Sequence, residues 1–273
     1  MNLDLLLASY DIGELISYAE LPEAYENKNY VIYTTKGKFV LKLFIGEIKT
    51  SEYLMYEIML LDKLRSLPVT RIVSSKDGAL CKMDSNFCLV LEFIEGEHLT
   101  NFNSSIANEI GIFLRKLHKI TKNLHLPGED IRKSVTPKQV FENIQSEAKH
   151  KELLLHMSFE HEDTGIIHFD LNEYNIFFKN NKITGVIDFD DSFYAPLIWD
   201  VGYVCFRWGA DDYVLNKYKV EAILEGYKFT GEKETLKNAM LLAGFYLYAF
   251  FESEYPVFAN KLHDNICRII TDF

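Results

Sequence analysis

The segment Gly165-Ile-Ile-His168-Phe-Asp170-Leu-Asn-Glu-Tyr-Asn175, followed by Gly185-Val-Ile-Asp188-Phe-Asp190, constrains this chain more than any other stretch. It alternates apolar runs with polar loops. Ile166 and Ile167 precede a loop holding Asp170 and Asn175. Ile176, Phe177 and Phe178 follow it, and Val186 and Ile187 lead into a second acidic turn. Short apolar runs bounded by polar residues predict strands. A hairpin here would bring Asp170, Asn175 and Asp188 to one edge of a sheet. Two carboxylates and an amide are hard oxygen ligands of the kind Mg²⁺ prefers, and a phosphate-bound Mg²⁺ needs only one or two protein carboxylates. The remaining Asp can accept a proton from a hydroxyl nucleophile. Asp and Asn are also common in turns for local hydrogen-bonding reasons, so a pair of solvated turns is the competing reading.

The 273 residues are enough for a large core and two lobes. An apolar share of 48% speaks against disorder. The formal net charge is −11, from 29 Lys plus Arg against 40 Asp plus Glu. A nucleic-acid partner would need a basic surface, and no basic run is long enough to supply one. An acidic surface suits a small cationic substrate, and equally aids solubility. The amino terminus has no basic region before its apolar residues, so no signal peptide is expected. No run of 18 uncharged apolar residues exists, so no membrane partner is expected. Cys81, Cys88, Cys205 and Cys267 lack C-x-x-C spacing and lie in apolar surroundings. They read as free thiols of a cytoplasmic protein.

The expected organisation is α+β. Asp11 to Tyr18 has helical spacing, with Ile12, Leu15 and Ile16 on one face. Tyr30 to Thr35 and Lys38 to Phe44 read as a hairpin turned at Lys36-Gly37. Ser51 opens a helix with Leu54, Ile58, Leu61 and Leu64 as its stripe, ended by Pro68. Two strands, Cys81 to Met83 and Phe87 to Phe93, flank the turn Asp84-Ser-Asn86. Helices are expected from Ser104 or Ser105 to about His118, from about Pro137 to Leu154, and over Trp199 to Trp208, Asp211 to Tyr227, Lys233 to Phe251 and Pro256 to Ile270. The reading is therefore a β-rich nucleotide-binding lobe over residues 1–95, a hinge near Phe93 to Gly96, and a larger, mainly helical catalytic and substrate lobe over 96–273. Clefts between lobes are favoured ligand sites.

The spacing His168-x-Asp170-x₄-Asn175, then Asp188, matches a kinase catalytic loop. Asp170 would orient an acceptor hydroxyl and take its proton, and Asn175 and Asp188 would hold Mg²⁺. His168 would brace the loop by hydrogen bonds. Asp190 shares parity with Asp188 and could meet a second metal or a water. Asp200, at the start of an apolar helix, is either a first-turn acid or a pin for the catalytic loop. Lys42 lies within the apolar run Val40 to Phe44, and a buried ammonium needs a partner. Glu57 on the next helix is preferred to Glu52. The alternative is a Lys42 that points to solvent with Lys36 and Lys38, whose parity it shares. No glycine-rich phosphate motif exists. The loop Glu26-Asn27-Lys28-Asn29 would have to cover phosphates with amide donors such as Asn29, or is an ordinary polar loop. Backbone groups of Glu92 to Ile94 would meet an adenine.

These residues resemble the aminoglycoside phosphotransferase, choline kinase and homoserine kinase superfamily, from about Leu7 to Trp208. The blocks His168 to Asn175 and Ile187-Asp188-Phe189 look like its phosphotransfer motif. Tyr10 to Tyr18, Glu26 to Tyr30 and Thr34 to Gly37 are similar to the start of homoserine-kinase-like members. The resemblance implies a protein-kinase-like two-lobe fold with a small antiparallel sheet. It also implies a catalytic base at Asp170, magnesium ligands at Asn175 and Asp188, and an ATP-phosphate lysine with its glutamate at Lys42 and Glu57. Phe169 stands where the family usually has a small residue.

The function expected is ATP- and Mg²⁺-dependent transfer of the γ-phosphate to a hydroxyl of a small, amine-bearing and cationic molecule, a homoserine-like amino alcohol or an aminoglycoside. Tyr203, Trp208, Asp211, Asp212, Tyr246, Glu252 and Glu254 are candidates to line the acceptor site. A catalytically silent nucleotide-binding module is the alternative. A metal-dependent phosphatase would require more metal ligands than the cluster offers.

Overall fold

The computed structural model describes residues 3–21, 27–45, 50–78, 80–83, 86–132 and 135–273. Their contacts divide the chain into two compact units. One comprises the described residues of Met1–Gly96 with the returning segments Leu126–Ile131 and Thr184–Ile187. The other comprises those of Glu97–His125, Arg132–Ile183 and Asp188–Phe273.

The first unit opens with a short helix, α1 (Leu3–Leu7), then strands β1 (Leu15–Leu21), β2 (Asn27–Thr34) and β3 (Gly37–Phe44), helix α2 (Ser51–Lys63), and strands β4 (Ile72–Val73), β5 (Cys81–Met83) and β6 (Asn86–Glu92). The sheet runs β1-β2-β3-β6-β4 with β5 also on β6, and every pairing is antiparallel. The helix expected over Asp11 to Tyr18 is absent. From Leu15 the chain is an edge strand, with Tyr18 opposite Ile32 and Leu21 opposite Asn29. Three apolar residues at helical spacing make less than two turns, and an isolated helix that short is marginal. Pairing to β2 satisfies the same backbone groups. Ile12 is buried, but Ile16 is 66% exposed, so no common apolar face exists. Asn27 and Asn29 likewise lie in β2, opposite Phe44 and Lys42, rather than in a loop. Glu26, Asp84 and Ser85 lie outside the described residues.

The second half of β3, from Leu41 to Phe44, is buried on both faces. Leu41 and Leu43 pack with Tyr30, Ile32, Cys88 and Val90 over the residues of α1. Phe44 packs on the opposite face with Leu54 of α2 and Leu89 of β6. Alternation along the strand therefore places Lys42 on the face covered by α2. The helix is capped by Thr50, whose hydroxyl accepts the Tyr53 N–H, and it stops at Lys63, well before Pro68.

The second unit contains α3 (Ser104–Thr121), α4 (Pro137–Asn143), β7 (Thr164–Ile167), β8 (Ile176–Lys179), β9 (Lys182–Val186), β10 (Phe193–Pro196), α5 (Ile198–Trp208), the two-residue strands β11 (Ala210–Asp211) and β12 (Val214–Leu215), and helices α6 (Lys217–Tyr227), α7 (Lys233–Phe251) and α8 (Pro256–Asp272). The end of β9 belongs to the first unit. Strand β7 pairs with β10 and β8 with β9, so the loop 168–175 joins two separate ladders rather than closing one hairpin.

Two expected helices are shorter than their patterns. The segment Pro137 to Leu154 yields only α4 and a 3-10 turn at Lys151–His156. The N–H groups of Gln145 and Ser146 donate to the Glu252 carboxylate at 2.6 and 3.2 Å and are thereby lost to helix continuation. The segment Asp211 to Tyr227 begins as a hairpin. Asp212 and Tyr213 have φ of 43° and 64°, the left-handed pair of a tight two-residue turn, and α6 starts only after Asn216, which caps Tyr218.

Helices α3 and α6 meet backbone to backbone. A Cβ at Gly111 would collide with the Ile223 carbonyl oxygen, and one at Gly226 with that of Asn108. All four cysteines are free, Cys88 and Cys205 buried, Cys81 and Cys267 partly so. Burial pushes the Cys88 thiol up to about 12, which makes it inert. Among the described residues no helix is long and apolar enough to cross a membrane.

Candidate active site

The loop after β7 begins with a backbone reversal at Phe169, whose φ is 58°. A left-handed residue costs on the order of 1 kcal/mol for a side chain with Cβ. Here the bend turns consecutive N–H groups toward one acceptor, forming an anion-binding concavity. His168 N–H donates to Asp200 Oδ2 at 2.9 Å, and Phe169 N–H to Asp200 Oδ1 at 2.7 Å. Asp200 is fully buried and also meets His118 Nε2 of α3 at 3.1 Å. His118 Nδ1 meets the Tyr227 hydroxyl of α6 at 2.8 Å. Of its two readings, Asp200 is the pin of the loop. The Phe169 ring fills space between Phe193, Trp199, Tyr203 and Tyr246, which is how this chain accommodates a large residue there.

Asp170 is the most elaborately held side chain of the loop. Tyr203 O–H and Asn172 Nδ2 donate to its Oδ1 at 2.7 and 2.8 Å. Asn175 Nδ2 donates to its Oδ2 at 2.8 Å and to its main-chain oxygen at 2.9 Å. Burial pushes the Asp170 carboxyl above the ordinary carboxylate range. The Tyr203 hydroxyl, His168 and Asn172 pull it back, while the Asp188 charge adds to the rise. Asp188 is therefore within electrostatic reach of Asp170. The Asn175 amide spends its N–H groups on Asp170, and its Oδ1 accepts no hydrogen bond among the described residues. An amide oxygen without a donor, on a buried residue beside the Asp170 carboxylate, is a group that fits a hard divalent cation. No group of three His, Cys, Asp or Glu suited to a metal exists among the described residues, so the fit depends on that amide oxygen.

His168 is buried, and its Nδ1 accepts the Asp170 N–H at 3.3 Å. Phe169 is not extended, so His168 and Asp170 do not share a strand face. The same is true of Asp188 and Asp190. Asp188, with φ 65° and ψ 64°, leads into a 3-10 turn at Phe189–Asp191, so residues 188 and 190 do not share a strand face. Asp190 is buried. The turn is clasped by Arg132, whose Nε donates to Ser192 O at 3.0 Å and whose Nη2 donates to Phe189 O at 3.0 Å and to Asp190 O.

In the first unit, Lys42 Nζ lies 4.0 Å from Glu57 Oε1, with side chains 9% and 4% exposed. Lys36 and Lys38 are exposed. The shared parity failed to predict exposure because β3 is exposed where it begins and buried where Lys42 meets Glu57. Asn29, directly opposite Lys42, is half-buried. Cross-strand partners share a face, so Asn29 and Lys42 do too. Glu92 ends β6, and its N–H donates to Arg71 O at 2.9 Å. Ile94 packs on Gly185, where a Cβ would meet its side chain.

The residues suggested for the acceptor side divide sharply. Trp208 is 1% exposed, and its Nε1 donates to Leu171 O at 2.6 Å. It braces the loop and is closed to substrate. Glu252 holds the backbone after α4. Asp211 pairs with Lys219 and Asp212 with Lys261. Glu254 is exposed. Tyr203 and Tyr246 remain beside the loop. Sequence reasoning passed over Arg132, His118 and Asn172. Of these only Asn172 carried a signal, being a polar residue inside the motif itself.

Comparison with known proteins fits this geometry. Residues 17–229 match the family model described as the phosphotransferase enzyme family. A homoserine kinase of Rhodopseudomonas palustris (strain BisA53) is 30% identical over 241 residues, covering 81% of this chain and 72% of that protein. A homoserine kinase of Bartonella henselae is 28% identical over 243 residues, covering 83% and 76%. Among solved structures, a microcompartment-associated aminopropanol kinase superposes with a TM-score of 0.69 at 16% identity, covering 98% of this chain and 94% of the other. A spectinomycin phosphotransferase in complex with ADP and spectinomycin superposes with a TM-score of 0.68 at 11% identity, covering 99% and 97%. The chain belongs to the phosphotransferase enzyme family and has its kinase-like α+β fold. It is a small-molecule kinase with an alcohol group as acceptor.

Proposed function

We propose that this protein transfers the γ-phosphoryl group of ATP, with Mg²⁺, to the hydroxyl of a small amine-bearing acceptor of the homoserine or amino-alcohol type. The observation that carries the reading is the Asp170 carboxylate. It is held by three side-chain donors, with the unspent amide oxygen of Asn175 beside it and the Asp188 charge within reach. Asp170 orients the acceptor hydroxyl and takes its proton as the oxygen attacks. Asn175 Oδ1 and Asp188 hold Mg²⁺, which when bound neutralises charge on the phosphates. Lys42, oriented by Glu57, meets nucleotide phosphates, with Asn29 on the same face of the sheet. The Glu92 N–H is committed to Arg71, so contacts to the base fall to the Glu92 carbonyl and to backbone groups up to Ile94. The homoserine-type acceptor is favoured over an aminoglycoside because the sequence relatives near 30% identity are homoserine kinases. The spectinomycin and aminoglycoside phosphotransferases share only the fold, at 11% and 13% identity. The reaction belongs to the cytoplasm, where ATP is available.

The test is ADP release from MgATP with homoserine, aminopropanol, other amino alcohols and aminoglycosides as acceptors. The expected result is turnover with a small amino alcohol or hydroxy amino acid. Asp170→Ala should lower kcat by about 10²- to 10⁴-fold, the usual share of a general base, with nucleotide affinity close to wild type. Mg²⁺-dependent nucleotide binding without turnover of any acceptor would favour a silent nucleotide-binding module instead.

A further inference from the structure

Asp170 keeps two kinds of company. Asn172 and Asn175 belong to its own loop, two and five residues on, and they move when the loop moves. Tyr203 does not. It sits in the middle of α5, one turn after Asp200 and one turn before Arg207. Its side chain is 1% exposed, with its ring 5.7 Å from that of Phe169. The helix that carries it fixes the loop on both sides of the base. Asp200 takes the N–H groups of residues 168 and 169, and Arg207 Nη2 meets both carboxylate oxygens of Glu173 at 2.6 Å. The Tyr203 hydroxyl reaches Asp170 Oδ1 at 2.7 Å, a short distance that marks a charge-assisted bond.

A carboxylate has about four lone-pair sites, two on each oxygen. Oδ1 of Asp170 already accepts from Tyr203 and Asn172, so it is saturated. Oδ2 accepts only from the side chain of Asn175, so one lone pair is left. We propose that Tyr203 is a positioning residue for phosphoryl transfer: it occupies Asp170 Oδ1 from a rigid helix and so presents Oδ2 as the oxygen that meets the acceptor hydroxyl. The inference rests on Asp170 being the base, as argued above. In the transfer, the acceptor O–H gives its proton to Oδ2, and the alcohol oxygen forms a bond to the γ-phosphorus. The bond from that phosphorus to the bridging oxygen breaks, with its electron pair left on ADP. Tyr203 donates to Oδ1 throughout and touches no reacting atom. Without its hydroxyl the carboxylate is held only by partners that share its own loop, and it can rotate the wrong oxygen forward.

The test is Tyr203→Phe in the full chain, assayed with the best acceptor of the panel above. The expected result is a kcat lower by about 10- to 100-fold, the worth of one hydrogen bond to a charged group. The KM values for ATP and acceptor should stay within about twofold and the melting temperature should be little changed, because the ring still fills its place. An unchanged kcat would overturn the proposal. So would a lower melting temperature accompanied by a rise in both KM values, which marks a merely structural residue. The second measurement places Tyr203→Phe in an Asp170→Asn background. If Tyr203 acts through Asp170, the residual rate falls no further. An equal loss in both backgrounds would overturn the role. Should Asp170→Asn itself keep the wild-type rate, the base assignment fails. A crippled Asp170→Asn beside a fully active Tyr203→Phe sinks only the role of Tyr203.

Discussion

The loop 168–175 and the turn 188–192 each carry a residue of the proposed catalytic centre, and they are held in opposite ways. Helix α5 reaches into the loop with side chains, and one of them ends on the Asp170 carboxylate itself. Arg132 clasps the turn by main-chain oxygens, those of Phe189, Asp190 and Ser192. The difference follows from what each residue has to do. A base must offer a particular oxygen to a hydroxyl before anything else has bound. A residue proposed to hold Mg²⁺, as Asp188 is, would be turned by the cation, so only the path of its backbone would have to be preset.

This contrast can be broken. The largest effect is expected for Arg132→Met, which strips a buried cation from three carbonyls at once and should cost about 3–5 kcal/mol. Chemical denaturation measures the loss, and an Mg²⁺ titration of the surviving fold should need more metal. A variant as stable as wild type, with an unaltered Mg²⁺ titration, would show that the turn holds itself. Asp200→Asn keeps the volume but removes the charge facing two N–H groups, for about 2–3 kcal/mol. Here kcat should fall while the Mg²⁺ requirement stays put; the reverse pattern would erase the distinction between the two regions. Trp208→Phe is the mildest. It deletes one neutral hydrogen bond to Leu171 O, about 1 kcal/mol, and a calorimetric melt should register it as a shift of a few degrees.

The loop 168–175 was legible because its contacts are local. Asp170 and Asn175 are close in sequence, and the backbone needs only one reversal to bring them together. Lys42 with Glu57 was legible because an ammonium in an apolar strand demands a partner. What stayed hidden depends on distant chain. Nothing around Arg132 announces that its guanidinium meets carbonyls nearly sixty residues later. Glu252 ends α4 from more than a hundred residues away. Residues 15–21 had too few apolar positions to tell a helix from an edge strand, and only the partner strand decided. Asp211 and Asp212 looked like ligand-seeking acids, yet they sit in and beside the turn of a tiny hairpin and face lysines.

The two glycine contacts between α3 and α6 reach further than packing. Tyr227 on α6 fixes His118 on α3, and His118 touches the carboxylate that anchors the catalytic loop. The two helices abut with no room for even a methyl group at Gly111 or Gly226. Their spacing therefore works as a gauge block, set remotely and read out at the proposed place of phosphate transfer. Sequence drift can redecorate the outer surfaces of both helices, but those two notches leave it no freedom.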